Sequence, residues 1–406
     1  MGNIPNYTVF RQVFFWLNRN YKCMFADPYA KKLFTGNTIL LFLEAMMNMR
    51  HSTEAIATNL ASKKWLQREV NLTSIDASTL NRKLSKIDLF DLQEIYGFLI
   101  QRLATLYAPK SGLDHLGKLR IIDSTELRMP KVYGEWAYLS DKQYAVKMHT
   151  SLLVAGPNDV YADRIVLSTA DIDDKNPEVV EALTADATEI LVMDRGFIRY
   201  GQFATWTKAG VRFVARLRAD SRCRILHKRP IEAGSNLLLD ADVEMVDPVS
   251  NEAFHVRLVE YKAMDTRKKK EIRIRVITTC RDLTAKQISD IYRYRWKIEL
   301  YFKWLKQHVN LKKFYSYKQQ AVWNQIYLSL IAHALCELIR QTEQPQVSCW
   351  RLLQHINAYA AEPMEAMWEA LTRSPTRTSR GRRKKGRPGR PRKHPKKLKH
   401  AGIIIK

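Results

Sequence analysis

Leu119-Arg120-Ile121-Ile122-Asp123 and Ile190-Leu191-Val192-Met193-Asp194-Arg195-Gly196-Phe197 are two short apolar runs, and each delivers an aspartate. Runs of this length and composition read as buried strands. Working outward, Gln143 to Val154 and Arg164 to Thr169 read as longer strands, Pro177 to Asp186 and Tyr200 to Lys208 as helices, and Val211 to Leu217 as a further strand. The order from Lys118 onward is therefore β-β-β-α-β-α-β, with one Asp at the tip of the first strand and another ending the fourth. Strand tips in an α/β sheet are where ligands bind. A single Asp in such a place is usually a cap for the following turn, so the pair needs a third partner before it reads as a site.

That partner lies downstream, in Ile291-Tyr292-Arg293-Tyr294-Arg295-Trp296-Lys297-Ile298-Glu299 and its continuation to Lys306. Thr284 and Gln287 fit a capping box, and neither Pro nor Gly interrupts the run to Lys313, which predicts one long helix. At about 100° per residue, Tyr292, Arg295, Glu299 and Lys306 fall within roughly 60° of arc. A carboxylate among basic residues on a helix is commonly a solvated, salt-bridged face. Two aspartates on strands and a glutamate on a following helix make a metal-binding constellation the stronger reading.

Asp123-Ser124-Thr125, Asp194-Arg195-Gly196-Phe197 and the Y-x2-R-x3-E-x6-K spacing of Tyr292, Arg295, Glu299 and Lys306 resemble the D-D-E triad and Y-R-E-K signature of bacterial insertion-sequence transposases of the IS-four type. The resemblance covers roughly Leu119 to Arg340. It implies an α/β chain with an RNase H-like catalytic core, matching the element order above, and a β-rich insertion ahead of the catalytic helix. It also implies Asp123, Asp194 and Glu299 as ligands of two Mg²⁺ ions, with Mn²⁺ able to substitute; hard carboxylates suit both ions. Arg295 and Lys306 then hold DNA phosphates, Arg295 as a fork, and Tyr292 donates to a phosphate or stacks on a base. Trp296, Trp304 and Trp323 read first as core residues; stacking on a flipped base in a hairpin intermediate is the other reading. Asp173 and Asp174, after the third strand, read as turn residues, with an extra carboxylate near the site as the alternative.

The rest of the chain divides by pattern. Residues 1–110 carry helical periodicity throughout, with Glu54 to Leu66 and a helix started by Asp76 giving a helix-turn-helix look. In it Asn81 and Arg82 are candidates for DNA contact; an ordinary helical bundle is the competing reading. Residues 111–219 form the first part of the core, 220–281 the β-rich insertion with a basic Arg267-Lys268-Lys269-Lys270 tip, and 282–372 the rest of the core with C-terminal helices from Ala321 and Cys349.

The net charge is +26, but residues 373–406 alone hold 15 Lys or Arg and no acid. The preceding 372 residues hold 52 basic against 41 acidic side chains. The tail therefore predicts disorder and polyanion binding. Its Gly386-Arg387-Pro388 and Gly389-Arg390-Pro391 units resemble AT-hooks, with Arg387 and Arg390 entering a minor groove; a purely electrostatic tail is the alternative. The apolar stretches Thr38 to Met47 and Ile326 to Ile339 are short or carry Glu337 and His333, so they predict core helices, not membrane spans. Five scattered Cys without C-x-x-C spacing argue against a zinc or disulfide framework, and the N-terminus lacks a signal-peptide layout.

The resemblance thus implies a cut-and-paste transposase acting on double-stranded DNA as a homodimer in a synaptic complex, in the bacterial cytoplasm at the nucleoid. An RNase H-like nuclease without strand transfer, and an inactive DNA-binding derivative, are the alternatives.

Overall fold

Alternating and continuous apolar runs in the middle of the chain give ten strands that join a single sheet. The computed structural model describes residues 8–374 except 16, 18–24, 26, 28, 29, 111, 114, 115, 132, 133, 141, 142, 186, 233, 266–269, 344 and 345. The tail with Arg387 and Arg390, and the tip residues 267–269, lie outside the described residues.

The strands are β1 (Leu119–Met129), β2 (Tyr138–Ser140), β3 (Gln143–Val154), β4 (Val160–Thr169), β5 (Ile190–Met193), β6 (Phe213–Arg216), β7 (Arg224–Lys228), β8 (Leu237–Val246), β9 (Ala253–Asp265) and β10 (Lys270–Thr278). Their order is β2-β3-β1-β5-β6-β10-β9-β8-β7, with β4 also on β3. β1 runs antiparallel to β3 but parallel to β5, and β5 is parallel to β6. The parallel connections are made by helices Pro177–Thr184 and Tyr200–Lys208, as crossovers require. The segment after Asp220 adds its four strands to the edge of β6 through β10, so it continues the same sheet. Arg257 on β9 is buried, forks onto Asp240, and donates to the Leu283 carbonyl at 2.5 Å. This ties the added strands to the residue just ahead of the helix that carries Tyr292.

Helices cover the other part of the core. Gln319–Glu343 is long and apolar enough to cross a membrane, yet 94% of its most apolar window is buried inside the protein. It packs against Leu89–Tyr107 and Thr35–Met47, and one apolar cluster runs from Val9 through these helices to the sheet and on to Leu371. Burial against other helices, not lipid, accounts for its composition.

Four local expectations need correction. Asp123 is not at a strand tip: β1 continues to Met129 because β3 supplies a partner along its whole length, Leu119↔Val154 through Met129↔Tyr144. What ends at Ile122↔Met193 is the parallel pairing with β5. The helix after Thr284 is also not one piece. The predicted capping box is present, but the run divides into Ala285–Tyr294 and Trp296–His308. At the junction the Arg295 N–H bonds to the Tyr292 carbonyl and the Ile298 N–H to the Arg295 carbonyl, a three-residue tightening. The helix after Ser52 divides at Lys63, whose backbone is extended, into Thr53–Ser62 and Lys64–Val70. The helix expected to run on from Cys349 divides into Cys349–Ala358 and Met364–Thr372, with Pro363 as the N-cap of the second.

Candidate active site

The register explains how two aspartates separated by 71 positions meet. Ile122 pairs with Met193 at the end of the parallel ladder, so Asp123, within β1, and Asp194, the residue just past β5, lie side by side near the middle of the sheet. Burial pushes the Asp123 carboxyl up to about 6, despite hydrogen bonding from the Ser124 N–H and the charge of Arg295; Asp194 and Asp174 add to the rise. A buried carboxylate among others is one that would gain from a cation.

The third carboxylate arrives from Trp296–His308. Arg295, at the helix junction, reaches Asp123 Oδ2 with Nη1 at 3.2 Å and Glu299 Oε1 with Nη2 at 2.5 Å. Its guanidinium thus occupies the space between the first and third carboxylates. Burial opposes its charge, but Tyr292, Asp194, Glu299 and Asp123 more than compensate and hold it protonated. Tyr292 is buried, and its hydroxyl donates to Asp194 Oδ1 at 2.9 Å. Lys306 donates to Thr125 Oγ1 at 2.5 Å; burial, then the neighbouring Lys312, lowers its pKa. Tyr292 thus contacts Asp194, Arg295 contacts Asp123 and Glu299, and Lys306 reaches the strand that bears Asp123.

Around them lies a cleft of about 470 Å³, open to solvent and lined also by Lys303, Gln307 and Lys312. These three extend the basic, polar face. A second cavity of about 760 Å³ shares Arg295 and is lined by Arg216, Tyr261, Tyr292, Arg293 and Trp296 among others. Trp296 is exposed, whereas Trp304 packs edge-on to His333 and Trp323 edge-on to Trp136. The N-terminal candidates stand apart from the cleft. Asn81 is half-buried and its amide donates to the Tyr315 carbonyl, while Arg82 is exposed with Nη2 at 3.2 Å from Thr79 Oγ1.

One contributor was not singled out by sequence reasoning, and another was read first as a turn residue with an extra carboxylate near the site as the alternative. Arg216 lies 3.8 Å from Asp194 Oδ1; the signal is positional, since Met193 pairs with Ala215 and the residue after each must be a neighbour. Asp174, read as a turn residue, instead accepts from Ser124 Oγ at 2.6 Å. Burial would raise its pKa, but His149, Ser124 and Lys147 overcome that and keep it ionised.

A divalent ion fits this donor set in pairs. Among the described residues no three His, Cys, Asp or Glu side chains gather closely enough to hold one ion together. Asp123 and Glu299, both in contact with Arg295, offer hard-oxygen donors of the kind a divalent ion takes. The Arg295 guanidinium between Asp123 and Glu299 is the observation in favour: that pair already holds a cation.

Residues 114–335 match the family described as Transposase DDE domain. Over 224 residues, 54% of this chain and 60% of its relative, the chain is 26% identical to a putative transposase, y4zB, of Sinorhizobium fredii. It is 24% identical over 276 residues to a probable transposase for insertion sequence element IS5377 of Geobacillus stearothermophilus, covering 67% of this chain and 69% of that one. An 80-residue stretch is 30% identical to a putative transposase for insertion sequence element IS4SA of Synechocystis.

Proposed function

Because the chain belongs to the transposase DDE-domain family, we propose that it is a cut-and-paste transposase of the IS-four type, cleaving and rejoining DNA at the ends of an insertion sequence. Its core, β1 and β3 to β6 with their flanking helices, is then RNase H-like. Asp123, Asp194 and Glu299 would hold two Mg²⁺ ions, or Mn²⁺ in their place, with Asp123 the carboxylate common to both. When bound, the ions supply Lewis-acid charge for an in-line displacement at phosphorus, in which a hydroxyl oxygen attacks and the 3′ oxygen leaves.

The chain's own residues do the rest. Tyr292 holds the Asp194 carboxylate through its hydroxyl. Arg295 neutralises Asp123 and Glu299 in the DNA-free protein, and its fork is suited to a phosphate once those carboxylates take ions. Lys306, Lys303 and Lys312, along one wall of the cleft, hold backbone phosphates beside the scissile bond. Trp296, beside the second cavity, stacks on a nucleotide drawn out of the duplex. Recognition of the terminal inverted repeats belongs to the helical segment 1–110, with exposed Arg82 rather than Asn81 as its contact. The 373–406 tail adds sequence-independent affinity through Arg387, Arg390 and their neighbours. A homodimer that pairs two ends, in the nucleoid of a bacterial cell, completes the reading.

One observation carries this proposal: Tyr292, Arg295 and Lys306 each bond to a catalytic carboxylate or to the strand bearing Asp123. The test is Glu299→Gln, which keeps shape and removes charge. With a labelled duplex carrying an element end, band shift should stay near wild type while Mg²⁺-dependent nicking and strand transfer are lost. Cleavage at the wild-type rate sinks the proposal; nicking without strand transfer by the wild type points to the nuclease alternative.

A further inference from the structure

Asp174 follows β4, away from the two aspartate motifs in sequence, yet it lies against both. Its Oδ1 accepts the hydroxyl of Ser124, the residue after Asp123. A Cβ built on Gly196, two residues after Asp194, would meet Asp174 Oδ2 at 3.4 Å. The Ser124 N–H in turn donates to Asp123 Oδ1 at 2.8 Å. A two-bond path therefore runs from Asp174 through Ser124 to the Asp123 carboxylate.

The surroundings of Asp174 are built, not incidental. His149 is fully buried, with Nδ1 3.4 Å from Asp174 Oδ1 and Nε2 2.9 Å from Ser168 Oγ. Lys147 is buried, donates to the Ile172 carbonyl at 2.8 Å, and stands 3.5 Å from the same Asp174 oxygen. The antiparallel register puts His149 opposite Ser124 and Lys147 opposite Glu126. Alternate residues of a strand face opposite sides, so these groups stand behind β1 with Ser124, while Asp123 faces forward. A turn residue needs no such support, and its carboxylate could point to water.

We propose that Asp174 is a positioning residue for the proposed reaction: anchored by Lys147 and His149, it holds Ser124 and so fixes the rotamer in which Asp123 accepts a divalent ion. This rests on the reading of Asp123 as an ion ligand. Partners of this kind behind a metal ligand typically contribute 10–100-fold in metal affinity.

The experiment measures Mn²⁺ binding to the full-length protein by the electron paramagnetic resonance of free Mn²⁺, beside thermal melts, DNA band shifts and nicking over a range of Mn²⁺ concentration. Asp174→Ala and Ser124→Ala should each weaken Mn²⁺ binding by about 10–100-fold, leave DNA affinity unchanged, and recover near-wild-type nicking when Mn²⁺ is raised. Because both break one path, the double variant should be no weaker than the worse single one. Asp174→Asn, which keeps an acceptor for Ser124, should fall between Asp174→Ala and wild type, and it serves if Asp174→Ala does not fold. Folded variants that bind Mn²⁺ as wild type does, or single effects that add in the double variant, overturn this inference alone. A wild-type protein that binds no Mn²⁺ overturns the proposed function as well.

Discussion

Replacing Arg295 with Ala should weaken the DNA-free protein and make it respond more strongly to divalent ions. The guanidinium makes one contact with Asp123 at 3.2 Å and one with Glu299 at 2.5 Å, with only 14% of its side chain exposed. Hydrogen bonds to charged groups contribute about 1.5–3 kcal/mol each, and stranding the partners of a buried ion pair costs roughly 3–5 kcal/mol. Asp123 and Glu299 are 21% and 30% exposed, so water offsets part of the loss and the low end, about 3 kcal/mol, applies. With an unfolding entropy of about 2.1 cal/mol/K per residue over 406 residues, the melting temperature falls by roughly 3–4 °C. Mn²⁺ at a hundred times its Kd contributes about 2.7 kcal/mol, which returns nearly all of that loss. In the wild type the ion must first displace the guanidinium, so its gain is smaller. The assay is calorimetric melting of both proteins with and without Mn²⁺. A variant melting within about 1 °C of wild type, or an equal Mn²⁺ shift in both proteins, would refute the bridging role assigned to Arg295.

Tyr292→Phe removes only the hydroxyl that holds Asp194; losing one charge-assisted bond should slow nicking by about 10–100-fold with DNA band shift unchanged. Asp123 titrates at about 6, above the 3.8 of a free aspartate. The fold therefore binds a proton more readily than the unfolded chain between these values, and burial of Asp123 costs most stability above pH 6. Ion binding needs the proton gone, so Mn²⁺ affinity should drop about tenfold per pH unit below 6, as titration calorimetry from pH 5 to 8 would register; a flat profile counts against Asp123 as a ligand. Removing residues 373–406 should flatten the salt dependence of DNA affinity, since each neutralised phosphate contributes about −0.9 to the log–log slope, and an unchanged slope would mean that the tail does not touch DNA.

Much of this protein was legible from local pattern. Strand runs, helix periods and the caps at Asp76 and Thr284 follow from contacts within a few residues, so β3, the Tyr200–Lys208 helix and the Thr284 capping box appear where the residues predict them. The spacing predicted one face for Tyr292, Arg295, Glu299 and Lys306; Arg295, Glu299 and Lys306 line the cleft, while Tyr292 lines the neighbouring cavity that shares Arg295. Tertiary structure decided what depends on partners distant in sequence. β1 runs past Asp123 only because β3 lies beside it, and the segment after Asp220 joins the main sheet only because β10 pairs with β6. The turn of Arg295 onto two carboxylates comes from a tightening at the helix junction, and the apposition of Asp174 to Ser124 from the packing of β4 and its turn across β3. Side-chain periodicity says which face a residue occupies; which group stands opposite is set by register and packing across 50 to 172 positions of chain, where no local rule operates.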